Sequence, residues 1–258
     1  ESTLQKMDQF TNKNGNHLVI KKSNGNIVYY NINSLGTVDN NKTATLESNG
    51  DFPTICGTND LVYALYKAGS YIKLKYSTNG GSSWIYNSEL DVSIGSNECN
   101  GIDAIYETNR GVHLVWAALD SDPYFETYYY RLTPYPDPSW ADYKNVTDYS
   151  GFQYGGRPTV AFSDNRVHVS FGPVSGGAVG DVSTRDRYNG SWQTPQNASG
   201  SDYSSAEMLI TSGSYLDMIY SQWDPPSYFD LAYKSRTLSG TWSSGSGTDI
   251  ETNIIGTE

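Results

Sequence analysis

Apolar positions along the chain gather in short runs flanked by Gly, Asn, Ser and Asp, and no run carries the 3.6-residue period of a helix. Five of them share a pattern: His17-Leu18-Val19-Ile20, Asp60-Leu61-Val62-Tyr63, His113-Leu114-Val115-Trp116, His168-Val169-Ser170-Phe171 and Asp217-Met218-Ile219-Tyr220. A second set precedes four of these, namely Pro53-Thr54-Ile55, Ile102-Asp103-Ala104-Ile105, Pro158-Thr159-Val160-Ala161 and Glu207-Met208-Leu209-Ile210. A third set follows and is rich in tyrosine, as in Ile27-Val28-Tyr29-Tyr30, Thr127-Tyr128-Tyr129-Tyr130 and Leu231-Ala232-Tyr233. Short strands bounded by turn residues are what such runs predict.

A turn closes each third run. Ser77-Thr78-Asn79-Gly80-Gly81-Ser82-Ser83-Trp84 leads from a small residue to a hydroxyl residue and Trp. The frame returns from Thr133 to Ser139-Trp140, from Arg185 to Ser191-Trp192, from Ser235 to Thr241-Trp242 and from Asn31 to Thr37-Val38. The anchors at 38, 84, 140, 192 and 242 are spaced by 46, 56, 52 and 50 residues. That period predicts an all-β five-bladed β-propeller of four-stranded antiparallel blades. The blades are expected at 4–50, 51–99, 100–154, 155–203 and 204–258, within a single domain spanning 1–258.

The turn at 77–84 resembles the Asp-box, or bacterial neuraminidase repeat, Ser-x-Asp-x-Gly-x-Thr-Trp, with Asn79 in place of the Asp. The other four turns are degenerate copies. The resemblance implies a sialidase-like propeller in which the box joins the third and fourth strands, its polar side chains bond the turn's own backbone, and its Trp packs between blades. It also implies a scaffold role for the box. Sialidases of this kind have six blades, three carboxylate-binding Arg and a Tyr-Glu pair, whereas this chain offers five repeats and seven scattered Arg (110, 131, 157, 166, 185, 187, 236). Sialidase activity is therefore not what these residues predict.

Composition narrows the function. A net charge of −11 and a pI near 4.6 disfavour a nucleic-acid partner, which needs clustered Lys and Arg. No run of ~18 apolar residues is present, so no membrane insertion is expected. The Glu1-Ser2-Thr3 start has no signal-peptide pattern, and any secretion signal is expected to have been removed already. Four sequons, at Asn41, Asn145, Asn189 and Asn197, suit a secreted or cell-surface protein. Cys56 and Cys99 permit one disulfide, left open because the blade alignment sets them toward opposite ends of neighbouring strands. Neither Cys lies beside His at a metal-ligand spacing, so neither a metal nor a cofactor is expected.

The three histidines and Asp60 and Asp217 recur at one repeat position, which points to a shared structural role. The segments joining second to third strands are short in the first two blades and long in the rest: 120–126, 172–181 and 223–230. Two of the long ones set aromatic rings beside acids, the pairing that holds sugars by stacking and hydroxyl contacts. With Asp51, Asp103, Arg157 and Glu207 at the starts of first strands, the expected ligand face comprises Asp103, Arg157, Glu207, Tyr124, Trp223 and Tyr228. The expected function is an extracellular carbohydrate-binding or surface-adhesion propeller, lectin-like, with a glycan or cell-surface polysaccharide as partner. One alternative is a glycoside hydrolase or polysaccharide lyase using Asp103, Glu207 and a third acid, a set that resembles the arabinanase-like glycosidases by fold analogy alone. A structural or protein-interaction module of a surface assembly is the other.

Overall fold

The computed structural model describes residues 4–95, 98–119, 125–147, 156–172, 182–199, 204–224, 228–243 and 248–254; at 4–5, 156–157, 204–207, 222–224, 228–230 and 249–254 it gives the backbone path alone. The first sheet holds β1 (Leu4–Asn12), β2 (Gly15–Lys22), β3 (Ile27–Ile32) and β4 (Ala44–Glu47). The second holds β5 (Asp51–Gly57), β6 (Val62–Ala68), β7 (Tyr71–Ser77) and β8 (Ile85–Tyr86), with β9 (Val92–Ser93) also paired to β7. The third holds β10 (Cys99–Glu107), β11 (Gly111–Leu119), β12 (Phe125–Leu132) and β13 (Trp140–Asn145). The fourth holds β14 (Gly156–Ser163), β15 (Arg166–Gly172), β16 (Ser183–Tyr188) and β17 (Ser191–Trp192), with β18 (Gln196–Asn197) paired to β16. The fifth holds β19 (Ser204–Ser212), β20 (Tyr215–Asp224), β21 (Tyr228–Thr237) and β22 (Thr248–Ile254).

In every sheet the strands neighbour one another in chain order, antiparallel, and no α-helix occurs among the described residues. This is a five-bladed β-propeller fold built from four-stranded blades. By contacts the chain falls into two compact units, Glu1–Leu114 with Tyr130–Tyr143, and Val115–Tyr129 with Lys144–Glu258.

In the first unit the core lies between the first two sheets, where Val19, Ile27, Tyr29, Leu46, Ile55, Val62, Ala64 and Tyr66 are buried together and Trp84 packs against them. Its counterpart in the second unit joins Ala161, Val182, Leu209, Leu216, Met218, Tyr220, Leu238 and Trp242. The turn at 77–84 is closed by its own side chains: Ser77 Oγ accepts from Gly81 N at 2.8 Å, and Asn79 Oδ1 accepts from Ser83 N at 2.9 Å. Gly81 sits at φ +89°, and a Cβ there would run into the Tyr29 ring, so both its backbone and its neighbour require glycine.

Two expectations change. His17, His113, His168 and Asp217 each stand two residues beyond the residue that closes the first hairpin turn, but in the second sheet that position belongs to Tyr63, because Thr58 and Leu61 close the hairpin over Asn59-Asp60. Asp60 is a turn residue. The long connection expected at 223–230 is mostly strand, since Trp223 opposes Phe229 and Asp224 opposes Tyr228. The segments at 120–124 and 173–181 lie outside the described residues.

Candidate functional site

The starts of the first strands depart from regular pairing. The register slips between Leu4 and Lys6 in β1, Asp51 and Thr54 in β5, Gly156 and Thr159 in β14, and Ala206 and Met208 in β19. Each slip inserts a residue with no opposite partner, and bulges of this kind re-aim side chains near binding sites. In β5 the inserted stretch includes Phe52 at φ +47°, a left-handed conformation that a bulky residue adopts only under constraint from its surroundings.

In the first unit β1 packs on β5, and β5 on β10. These strands carry Asp8, Asp51 and Asp103, and each carboxylate accepts the N–H of the next residue: Gln9, Phe52 and Ala104, at 2.7, 2.7 and 2.8 Å. Their surroundings differ. Asp51 takes Lys6 Nζ and Lys21 Nζ at 2.9 Å each, and although burial raises its pKa, hydrogen bonds from Lys6, Lys21 and Phe52 outweigh it and hold the carboxyl below the usual range. Lys6 also sits 3.2 Å above the Phe52 ring.

Asp8 reaches across to β5, where its Oδ2 accepts from Thr54 Oγ1 and Ile55 N, both at 2.8 Å. Burial nonetheless pushes the Asp8 carboxyl above the ordinary value. The buried Cys56 thiol lies in reach of both Asp8 and Asp103: burial, then these two negative charges, raise its pKa well above that of a free thiol. Burial also pushes Cys99 up to about 11. Neither cysteine is bridged.

A pair of acids whose surroundings push their pKa values apart is the arrangement that separates an acid from a base. Asp8 and Asp51 meet that description. Lys6, Asp8 and Lys21 were not among the sequence candidates, and Asp8 carries no signal that separates it from the other polar residues of its strand.

Of the six expected ligand residues, Asp103 lies on β10 in the first unit and is half-buried. Arg157 and Glu207 fall within the slipped stretches of β14 and β19, and Trp223 and Tyr228 lie at the tip of the β20–β21 hairpin, all four in the second unit. Their side chains, and the whole of Tyr124, lie outside the described residues. Among the described residues no group of three or more His, Cys, Asp or Glu is arranged to hold a metal ion.

The histidines are committed elsewhere. His17 Nδ1 bonds Tyr29 Oη at 2.8 Å, His113 Nε2 bonds Glu107 at 2.9 Å, and His168 Nδ1 bonds Asp186 at 2.8 Å. All three are fully buried.

No protein-family profile matches the chain, and no curated protein matches it. Solved structures do. The Aleuria aurantia lectin in complex with Fucα1-6GlcNAc is 14% identical, with a TM-score of 0.58 over 98% of this chain and 81% of that one. A subtype N11 neuraminidase-like protein (H18N11, from a flat-faced bat of Peru) is 13% identical, with a TM-score of 0.58 over 93% and 71%. A putative exo-β-1,3-galactanase from Bifidobacterium bifidum is 11% identical, with a TM-score of 0.56 over 97% and 92%. In two longer matched glycosidases the chain spans only 40% and 42% of the length. At these identities the likeness is one of fold.

Proposed function

We propose that this chain is an extracellular, lectin-like carbohydrate-binding propeller whose glycan contacts lie at the starts of its first strands and at the β20–β21 hairpin tip. The observation that supports the reading is the set of slipped first strands, whose irregular stretches begin at Asp51 in β5 and contain Arg157 in β14 and Glu207 in β19. Carboxylates there suit sugar hydroxyls, and Trp223 and Tyr228 supply faces for stacking on C–H groups. Asp103 and Tyr124 complete the proposed set. The likeness to a lectin, a neuraminidase-like protein and a galactanase agrees with a glycan ligand. Secretion or surface display, a single 1–258 domain and kinship of the 77–84 turn with the Asp-box belong to the same proposal.

A glycan array followed by calorimetry of the hits tests it. Trp223→Ala is expected to weaken binding by about 1–3 kcal/mol through lost stacking, with the melting temperature nearly unchanged. Silence of the array would reject the reading, and affinity that survives Trp223→Ala would remove Trp223 from the contacts.

Asp8 and Asp51 favour a second reading, a glycoside hydrolase. A carboxyl raised by burial suits proton donation, and one held ionised by two lysines suits charge stabilisation.

A further inference from the structure

Lys6 and Lys21 stand directly opposite each other in the β1–β2 pair, and like charges so placed repel. Asp51 lies between them and binds both at 2.9 Å. In the next pair Lys67 stands directly opposite Asp51 and makes no ion pair among the described residues. Two lysines thus bind Asp51, and register brings a third, Lys67, alongside it on the neighbouring strand, on a chain whose net charge is −11. Asp8, two residues beyond Lys6, makes no ion pair with these lysines among the described residues and bonds instead to Thr54, Ile55 and Gln9.

The arrangement is held in place. Phe52 keeps φ +47°, and its ring carries Lys6 at 3.2 Å, so the strained residue props the ammonium group at the strand start. Strain maintained beside a lysine that has no ion pair among the described residues points to a site rather than to a plain surface. A stability device would give each cation an anion, and this one leaves Lys67 without an ion pair among the described residues.

We infer that Lys6, Lys21 and Lys67 form a subsite for an anionic group of a glycan, a carboxylate or a sulfate ester. The inference rests on the proposed carbohydrate-binding function and narrows it to acidic polysaccharides.

The test compares three probes by calorimetry: an oligogalacturonate for the carboxylate, a heparin-derived oligosaccharide for the sulfate, and cellohexaose as the neutral control. At least one acidic probe is expected to bind at low salt and to weaken steeply as ionic strength rises, since exposed charges are screened over about 10 Å at 0.1 M. Which of the two binds identifies the group. Lys67→Gln, at a position with no ion pair to lose, is expected to cut affinity for that probe about fivefold, a loss of about 1 kcal/mol, with the melting temperature unchanged. Asp51→Asn is expected to strengthen acidic binding even though it removes two salt bridges, an outcome that a purely structural Asp51 would not give. Binding of cellohexaose equal to or tighter than both acidic probes overturns the subsite while sparing the carbohydrate-binding reading. Silence of all three probes and of the glycan array overturns both. Acidic binding unmoved by salt and by Lys67→Gln rejects these lysines.

Discussion

His17 has no exposed surface, stacks on Phe10 at 4.6 Å and gives one ring nitrogen to Tyr29. A charge in that position would be stripped of water, and burial, helped by the positive charge of Lys42, lowers its pKa from 6.5 to about 4. The unfolded chain therefore takes up a proton near pH 6.5 that the folded chain refuses until about pH 4. Stability must fall as pH falls through that window, by up to about 3 kcal/mol from this group alone. Asp186 acts lower on the scale: burial raises its carboxyl, but His168 and Arg236 hold it below the usual carboxylate range, so its contribution is lost only as pH falls through that depressed value. Denaturant titrations at pH 7.5 and 4.5 separate the two. His17→Gln is expected to be less stable than wild type at pH 7.5 and to lose markedly less on going to pH 4.5. An equal loss in both proteins would mean that His17 is not the group that titrates.

Between sheets, each repeat Trp reaches the sheet before its own. Trp84 meets Tyr29 edge-on at 4.9 Å, Trp140 donates to Leu90 O at 2.8 Å, Trp192 meets Tyr129 edge-on at 5.1 Å, and Trp242 donates to Thr184 Oγ1 at 2.8 Å. Trp242→Ala is expected to cost about 4–5 kcal/mol and the less buried Trp84→Ala about 3 kcal/mol, read from denaturation midpoints. In the second unit the Arg236 guanidinium holds both Asp186 oxygens at 2.8 Å, and both residues are buried. Arg236→Met should cost about 3–5 kcal/mol by stranding a buried carboxylate, and adding Asp186→Leu should return part of that loss. These elements were legible in the sequence because hydroxyl-Trp pairs mark the turns and recur at blade spacing. The placement of Asp60 was not. Val62 to Tyr66 are buried on both faces, so β6 has no alternation to fix its register, and its apolar run can be slid along the repeat without visible penalty.

At the scale of the molecule, the number of sheets and their chain order followed from periodicity, whereas the character of the candidate site did not. Asp8 is buried because β1 packs on β5, and its contact with Thr54 spans 46 residues, so no local pattern announces a carboxyl with a raised pKa. Lys6, Lys21 and Lys67 read singly as solvated strand ends, and only pairing register brings them round Asp51. The same register makes the choice between lectin and hydrolase testable. Incubation with polysaccharides is expected to give binding without new reducing ends, because a lectin needs acceptors and not a proton donor. If reducing ends do appear, Asp8 is the acid that the structure offers: turnover should then decline as pH rises through its raised pKa, and Asp8→Asn should lower the rate by about 10²-fold or more while binding persists. Turnover untouched by Asp8→Asn would remove Asp8 from the chemistry, and turnover of any kind would displace the lectin reading.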